Sequence, residues 1–144
     1  MSAWLQQHRS APREQAATFS TLGDKARRAG RWGAASKSFG ESALLYPAPD
    51  TLSAYGQALL HERAAVRGAS GAPLAQQQGD WREASAIFAT ALAADDQVHT
   101  LKPAERKAIA DDATCLAEAA KGGPAPASCA ALRLYQAALR APTR

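Results

Sequence analysis

The sequence has few of the residues on which a β-sheet or a membrane span depends. Aromatic residues make up 6% of its 144 residues, and much of its 47% apolar share is alanine rather than β-branched residues. Alanine favours helix over strand. The chain has no stretch of about 18 apolar residues and no apolar N-terminal segment typical of a leader. We therefore expect one soluble helical domain in the cytoplasm, or in the periplasm or another compartment if a leader was removed.

Cysteine is scarce as well. Cys115 and Cys129 are the two cysteines, which excludes a framework of several disulfides. The histidines, His8, His61 and His99, are scattered and do not stand at zinc-ligand spacing to the cysteines. We interpret both thiols as small packing groups in adjacent helices, with a helix-to-helix disulfide as the alternative. No metal and no cofactor is expected.

The motifs of common catalytic sites are missing too. The sequence contains no glycine-rich phosphate loop, no His-Glu-x-x-His zinc motif and no Gly-x-Ser-x-Gly nucleophile turn. Asp111 and Asp112 are neighbours on a predicted helix, where adjacent side chains diverge by about 100° and do not converge on a site. The chain is therefore predicted not to be an enzyme.

What the sequence does have is a basic N-terminal quarter. The formal net charge is +4, and residues 1–37 contain seven basic residues against two acidic ones. Such an asymmetry indicates an acidic partner, although a solvated basic helix face is the simpler explanation.

Apolar residues recur at helical spacing along most of the chain. Six helices are predicted, over Arg13–Ala29, Trp32–Tyr46, Asp50–Arg67, Asp80–Ala94, a segment that begins at Pro103 and ends before Gly122, and Ala127–Ala141. Leu22 and Leu44 are assigned to the inward faces of the first two helices, and Ala130, Leu134, Ala137 and Ala138 to that of the last. The segment 68–78, rich in glycine, alanine and glutamine, is predicted to be a mobile loop or a frayed helix end.

An internal repeat defines the architecture. Gly30-Arg-Trp32-Gly-Ala-Ala35-Ser36-Lys-Ser-Phe39 and Gly79-Asp-Trp81-Arg-Glu-Ala84-Ser85-Ala-Ile-Phe88 share glycine, tryptophan, alanine, serine and phenylalanine at the same spacing. The preceding helices agree as well, since Phe19-x-x-Leu22-Gly23-x-x-Ala26 aligns with Leu52-x-x-Tyr55-Gly56-x-x-Leu59. This pattern resembles the tetratricopeptide repeat. Three repeats are predicted in a single domain over 1–144, at about 16–48, 49–97 and 103–142, the second with an insertion at about 63–78 and the third degenerate.

The resemblance implies an all-α, right-handed solenoid of helix pairs in which the first helix of each pair lines a concave groove. The positions expected on that groove are Asp24, Arg27, Arg28, Arg31, Ser53, Gln57 and His61. Arginine side chains suit carboxylates and phosphates, because the guanidinium group binds them in a bidentate manner. The leading hypothesis is thus a non-catalytic adaptor, scaffold or small chaperone that binds an acidic or amphipathic segment of another protein.

Two alternatives stay open at this point. The basic first helix could bind nucleic acid or an anionic surface, but nucleic-acid sites on single strands interleave basic residues with exposed aromatic ones. Here the aromatic residues Trp32, Phe39, Trp81 and Phe88 are assigned to the core. The chain could instead be an accessory subunit of a larger assembly.

Overall fold

The computed structural model describes residues 2–124 and 126–141, with side chains described from residue 12 onwards except at position 70. Over these residues the protein is all-helical and contains no strand. The predicted all-α class with six helices is confirmed. The helices are α1 (Ser2–Arg28), α2 (Trp32–Leu45), α3 (Pro49–Ser70), α4 (Leu74–Val98), α5 (Pro103–Ala120) and α6 (Ala130–Arg140).

The turns between the helices use the residues that the sequence marks as helix breakers. Gly30 follows α1 with a φ of 73°, a left-handed conformation that glycine adopts without strain. Pro49 and Pro103 stand in the first turns of α3 and α5, where a missing N–H costs no hydrogen bond. The first helix is longer than predicted, because it begins at Ser2 and continues through Pro12.

Consecutive helices from α1 to α5 pack against each other in chain order. One contact occurs twice in this arrangement. A Cβ atom placed on Gly23 would lie 2.7 Å from the ring of Phe39, and one placed on Gly56 would lie 2.7 Å from the ring of Phe88. Only glycine allows so close an approach, so the Phe39 ring packs directly on the backbone of α1 and the Phe88 ring on that of α3. The two rings are the largest fully buried side chains of α2 and α4.

The inserted segment is helical and not a loop. Helix α3 continues to Ser70 and α4 already begins at Leu74, so three residues connect them. The prediction of a mobile loop or a frayed helix end over 68–78 was wrong, because all of this segment except 71–73 lies within the two helices. The reason is tertiary packing, because α6 lies against this extension of α3 and the backbone of Leu139 contacts Gly68.

A buried polar cluster fixes α6 on α3 and α4. Asp80 accepts two hydrogen bonds from the guanidinium group of Arg67, at 3.0 and 3.1 Å, and one from the hydroxyl group of Tyr135 at 2.8 Å. Tyr135 is fully buried, and burial is the main reason why its pKa is raised. A buried carboxylate with charged and neutral donors around it is stable because its lone pairs are satisfied.

This cluster also sets the rotation of α6, which differs from the prediction. Its buried residues are Ala131, Leu132 and Tyr135, whereas Ala130 and Ala137 are exposed and Leu134 and Ala138 are partly buried. The predicted inward face was thus wrong by about one residue. The prediction assumed that α6 faces α5 as α2 and α4 face their partners, but α6 packs chiefly on α3.

The two cysteines form a disulfide between α5 and the residue before α6, with their Cα atoms 5.9 Å apart. The interpretation of Cys115 and Cys129 as unpaired packing groups was therefore wrong, and the alternative holds. A cross-link between residues separated by 14 positions stabilises a fold by about 3 kcal/mol in the chain-entropy account. It adds to the hydrogen bond that the backbone N–H of Ala131 donates to Asp112, so the start of α6 is held to α5 twice.

The end of α4 is fixed to the start of α5 by a buried carboxylate. Asp95 accepts a hydrogen bond from the backbone N–H of Leu101 at 2.8 Å and another from Arg106 at 2.8 Å. The bond from Leu101 is the largest cause of the lowered pKa of Asp95. This contact orients α5 relative to the preceding pair of helices.

The contact between Gly56 and Phe88 gives a first prediction. The substitution Gly56→Ala should lower the free energy of unfolding by about 1–3 kcal/mol, because the new methyl group overpacks the ring. Gly79, in the interior of α4, has open space around it. Gly79→Ala should accordingly raise the free energy of unfolding by about 0.5–1 kcal/mol through helix propensity alone. Denaturant unfolding of both oxidised variants measures the difference, and equal effects of the two substitutions would contradict the close approach.

Candidate functional site

Helices α1, α3 and α5 contribute to one groove of about 260 Å³. We call it the inner groove. It is lined by Arg27 of α1, by Asp50, Ser53, Ala54 and Gln57 of α3, and by Leu101, Glu105, Ala108, Ile109 and Asp112 on and just before α5.

The seven residues predicted for the groove lie in different places. Arg27, Ser53 and Gln57 line the inner groove together. Asp24 forms an ion pair with Arg27, and Arg28 and Arg31 are exposed at the end of α1 and in the turn after it. His61 lies elsewhere, against Trp32.

Arg27 is held in a fixed orientation at one edge of the inner groove. One of its guanidinium nitrogens lies 2.6 Å from the carboxylate of Asp24, and its guanidinium carbon lies 5.9 Å from the centre of the Phe39 ring. A cation over an aromatic ring gains electrostatic stabilisation while its other donors stay available. The ring that packs on Gly23 therefore also positions the basic group of the groove.

The opposite edge of the inner groove is acidic. Glu105 and Asp112 of α5 line it, and with Asp50 of α3 the groove combines one arginine with three carboxylates. Asp112 is half-buried, and its desolvation raises the pKa of its carboxyl group, against the effect of the hydrogen bond from Ala131. Sequence reasoning missed Glu105 and Asp112 because their place in the groove follows from the packing of α5 on α4.

His61 forms part of a packed ring pair. Its imidazole ring stacks on the indole ring of Trp32 with centroids 3.7 Å apart and planes 5° from parallel. Burial lowers the pKa of His61 below its ordinary value. The pair joins the start of α2 to α3, which is a structural contact.

A second and larger groove lies over the other side of α3. We call it the outer groove; its volume is about 760 Å³. It runs between α2 and α4, and its lining comprises Gly33, Ser36, Lys37, Gly40, Glu41, Ala43, Leu44 and Pro47, then Leu52, Tyr55, Leu59, Glu62 and Arg63, then Glu83, Ala86, Ile87 and Thr90.

The outer groove contains two apolar residues, one that the sequence analysis placed wrongly and one that it did not use. Leu44, assigned to the inward face of α2, is 87% exposed at the rim of this groove. Ile87 lies in it from the side of α4. Leu22, also assigned inward, is exposed on α1. Both leucines fit the apolar stripe of their helix but have no residue of the core opposite them. This was the available signal that they are exposed.

Metal binding and membrane crossing find no support in this part of the chain. Within residues 12–69, 71–124 and 126–141, whose side chains are described, no three side chains of histidine, cysteine, aspartate or glutamate are grouped so that they could hold a metal ion. Over the same residues, no helix has both the length and the apolar character of a membrane span.

Comparisons with known proteins do not identify a relative. Neither a protein-family model nor a curated protein nor a solved structure matches this chain. The function is therefore inferred from the two grooves and from the internal repeat.

The stacked pair of His61 and Trp32 gives a prediction for the pH dependence of stability. The pKa of His61 is lower in the folded chain than its ordinary value of about 6.5, so below this pH the unfolded chain binds more protons and stability falls. His61→Phe keeps an aromatic ring on Trp32 but cannot be protonated. As the pH falls from about 7.5 to about 5.5, the parent chain should lose more of its unfolding free energy than the His61→Phe variant does. Denaturant titrations measure it, and parallel pH profiles for the two proteins would contradict this assignment.

Proposed function

We propose that this chain is a tetratricopeptide-like interaction module that binds a segment of another protein in the inner groove. It acts as an adaptor, scaffold or small chaperone and carries out no chemical reaction itself. The observation that carries the proposal is the inner groove, which the first helix of every pair lines. A bound segment there would contact all three pairs at once.

The recurrence of the glycine–phenylalanine contact supports the repeat. Gly23 with Phe39 and Gly56 with Phe88 are equivalent positions in the two copies of the sequence motif, and both pairs make the same 2.7 Å approach. The second pair makes this contact although the insertion adds sixteen residues between glycine and phenylalanine. In the proposed right-handed solenoid, α1 with α2, α3 with α4 and α5 with α6 are the three repeats. The last pair is irregular, because α6 packs chiefly on α3.

The charges of the inner groove favour an amphipathic segment over a uniformly acidic one. Arg27, with Arg28 and Arg31 exposed nearby in the sequence, would attract acidic side chains at the edge formed by α1. Glu105 and Asp112 at the edge formed by α5, together with Asp50 of α3, would attract a lysine or arginine. A segment with both charges would be bound in one orientation.

The nucleic-acid alternative has less support. Three carboxylates beside Arg27 would repel a phosphate backbone. Trp81 and the two repeat phenylalanines are buried, and Trp32 is stacked on His61, so these rings are not free to stack on bases.

The disulfide bears on the compartment. Disulfides are typical of oxidising compartments and rare in the cytoplasm. The pairing of Cys115 with Cys129 favours the periplasm or another oxidising compartment over the cytoplasmic location that the sequence alone favours.

Site-specific photo-crosslinking tests the proposed groove. A photoreactive phenylalanine replaces Gln57, which is exposed in the inner groove, or Gln136, which is exposed on α6. In the native cells, the chain labelled at position 57 should crosslink to one protein partner, and the matched control at position 136 should not. Adding Arg27→Gln should weaken the crosslink about tenfold, because it removes the fixed charge at the edge formed by α1.

Two results would contradict the proposal. Equal crosslinking from both positions would show that the partner does not bind specifically in the inner groove. A crosslinked product that is digested by nuclease and not by protease would instead identify a nucleic-acid ligand.

A further inference from the structure

The outer groove is independent of the inner groove. It is formed by α2 and α4, the second helices of their pairs, over a different face of α3. Ser53 and Gln57 of α3 line the inner groove, whereas Tyr55 and Leu59 line the outer one. Its volume, about 760 Å³, lies within the range of specific ligand sites, which is roughly 300–1,000 Å³.

The floor and one rim of the outer groove are apolar. Tyr55, Leu59 and Ile87 lie in it, and Leu44 stands at its edge with 87% of its surface exposed. Among the large apolar side chains that the structure describes, Leu44 is the most exposed. It contributes little to the core, so its burial energy is available to a partner that covers the groove.

The charged side chains of the outer groove are three carboxylates and two cations, and they are incompletely paired. Glu41, Glu62 and Glu83 line it together with Lys37 and Arg63. Glu83 forms an ion pair with Arg63, at 3.5 Å. Among the described residues, neither Glu41 nor Glu62 has a hydrogen-bond or ion-pair partner for its carboxylate.

The environment of Glu62 is unfavourable for its charge. Burial raises the pKa of its carboxyl group, and the neighbouring charge of Glu83 adds to this effect, while Arg63 opposes it. A cation brought to this position would stabilise the carboxylate and be stabilised by it.

We propose that the outer groove is a second docking site, which binds a basic amphipathic helix of a partner. The apolar face of that helix would cover Leu44, Tyr55 and Ile87, and its lysine or arginine side chains would reach Glu41 and Glu62. Two helices, α2 and α4, already form the walls of the groove, so a third helix laid between them would pack as helices do in a bundle. An acidic helix would place like charges together and is rejected.

The two grooves then select for different partners. The inner groove combines Arg27 with carboxylates, and the outer groove offers an apolar floor with free glutamates. Because they use different faces of α3, both can be occupied at the same time. The module would thus connect two protein segments.

Binding of two synthetic helical peptides to the full oxidised chain tests the outer groove. Both peptides have about 18 residues and the same leucine face, with lysine on the polar face of one and glutamate on that of the other. Fluorescence anisotropy should show that the lysine peptide binds at least about tenfold more tightly than the glutamate peptide and that its affinity falls as salt rises.

Matched variants assign the site. Leu44→Ser should weaken binding of the lysine peptide about tenfold, and the pair Glu41→Gln with Glu62→Gln should weaken it and reduce its salt dependence. The control variants Leu74→Ser and Glu14→Gln change an exposed leucine and an exposed glutamate outside the groove, and should leave binding unchanged.

Five results would overturn the proposal. Equal affinity for the two peptides, or no binding of either, would remove the basic helix as the occupant. A loss of binding with Asp50→Asn but not with the outer-groove variants would place the peptide in the inner groove. Self-association of the chain that Leu44→Ser abolishes would make the groove an interface between copies. Equal effects of the outer-groove and control variants would show non-specific attraction.

Discussion

The close approach of a phenylalanine ring to a glycine backbone is the contact on which the remaining structure depends. At Gly23 and again at Gly56 there is no room for a Cβ atom beneath the ring, so paired helices lie nearer than larger residues would allow. This spacing aligns α1 and α3 along the inner groove and leaves α2 and α4 as the walls of the outer groove. The same Phe39 ring also supports the guanidinium group of Arg27. The same close contact therefore joins helices that line both candidate sites.

Much of the fold follows from local signals in the sequence. Helices α2 and α5 begin at the predicted residues. Gly30 forms the turn before α2 and Pro103 occupies the first turn of α5, and both preferences are local and independent of tertiary contacts. The extension of α3 and α4 through the segment 68–78 was not predictable in this way. That segment is weakly apolar by itself, and it is helical where α6 covers it and where Asp80 binds Arg67 and Tyr135. The rotation of α6 depends on the same buried cluster, and the disulfide is a pairing that sequence spacing left open.

The candidate site was predictable only where helical periodicity determines which side of a helix a residue occupies. Helical periodicity alone brings Arg27, Ser53 and Gln57 to one side of their helices, and they do share the inner groove. His61 satisfies the same periodicity but stacks on Trp32, because a large flat ring was available across the helix interface. The carboxylates of the groove come from its border with α5, and the outer groove arises from the gap between two helices that are not consecutive. Neither property is encoded within a single helix.

Proton–proton contacts in solution test the central claim directly. If both glycines lie beneath their rings, nuclear Overhauser spectra of the oxidised chain will show strong contacts from the Hα protons of Gly23 to the ring of Phe39 and from those of Gly56 to the ring of Phe88. The Hα resonances of both glycines will also be displaced by the ring currents. Contacts at one glycine but not at the other would contradict the repeated helix pair, and contacts at neither would contradict the packing from which both grooves are derived.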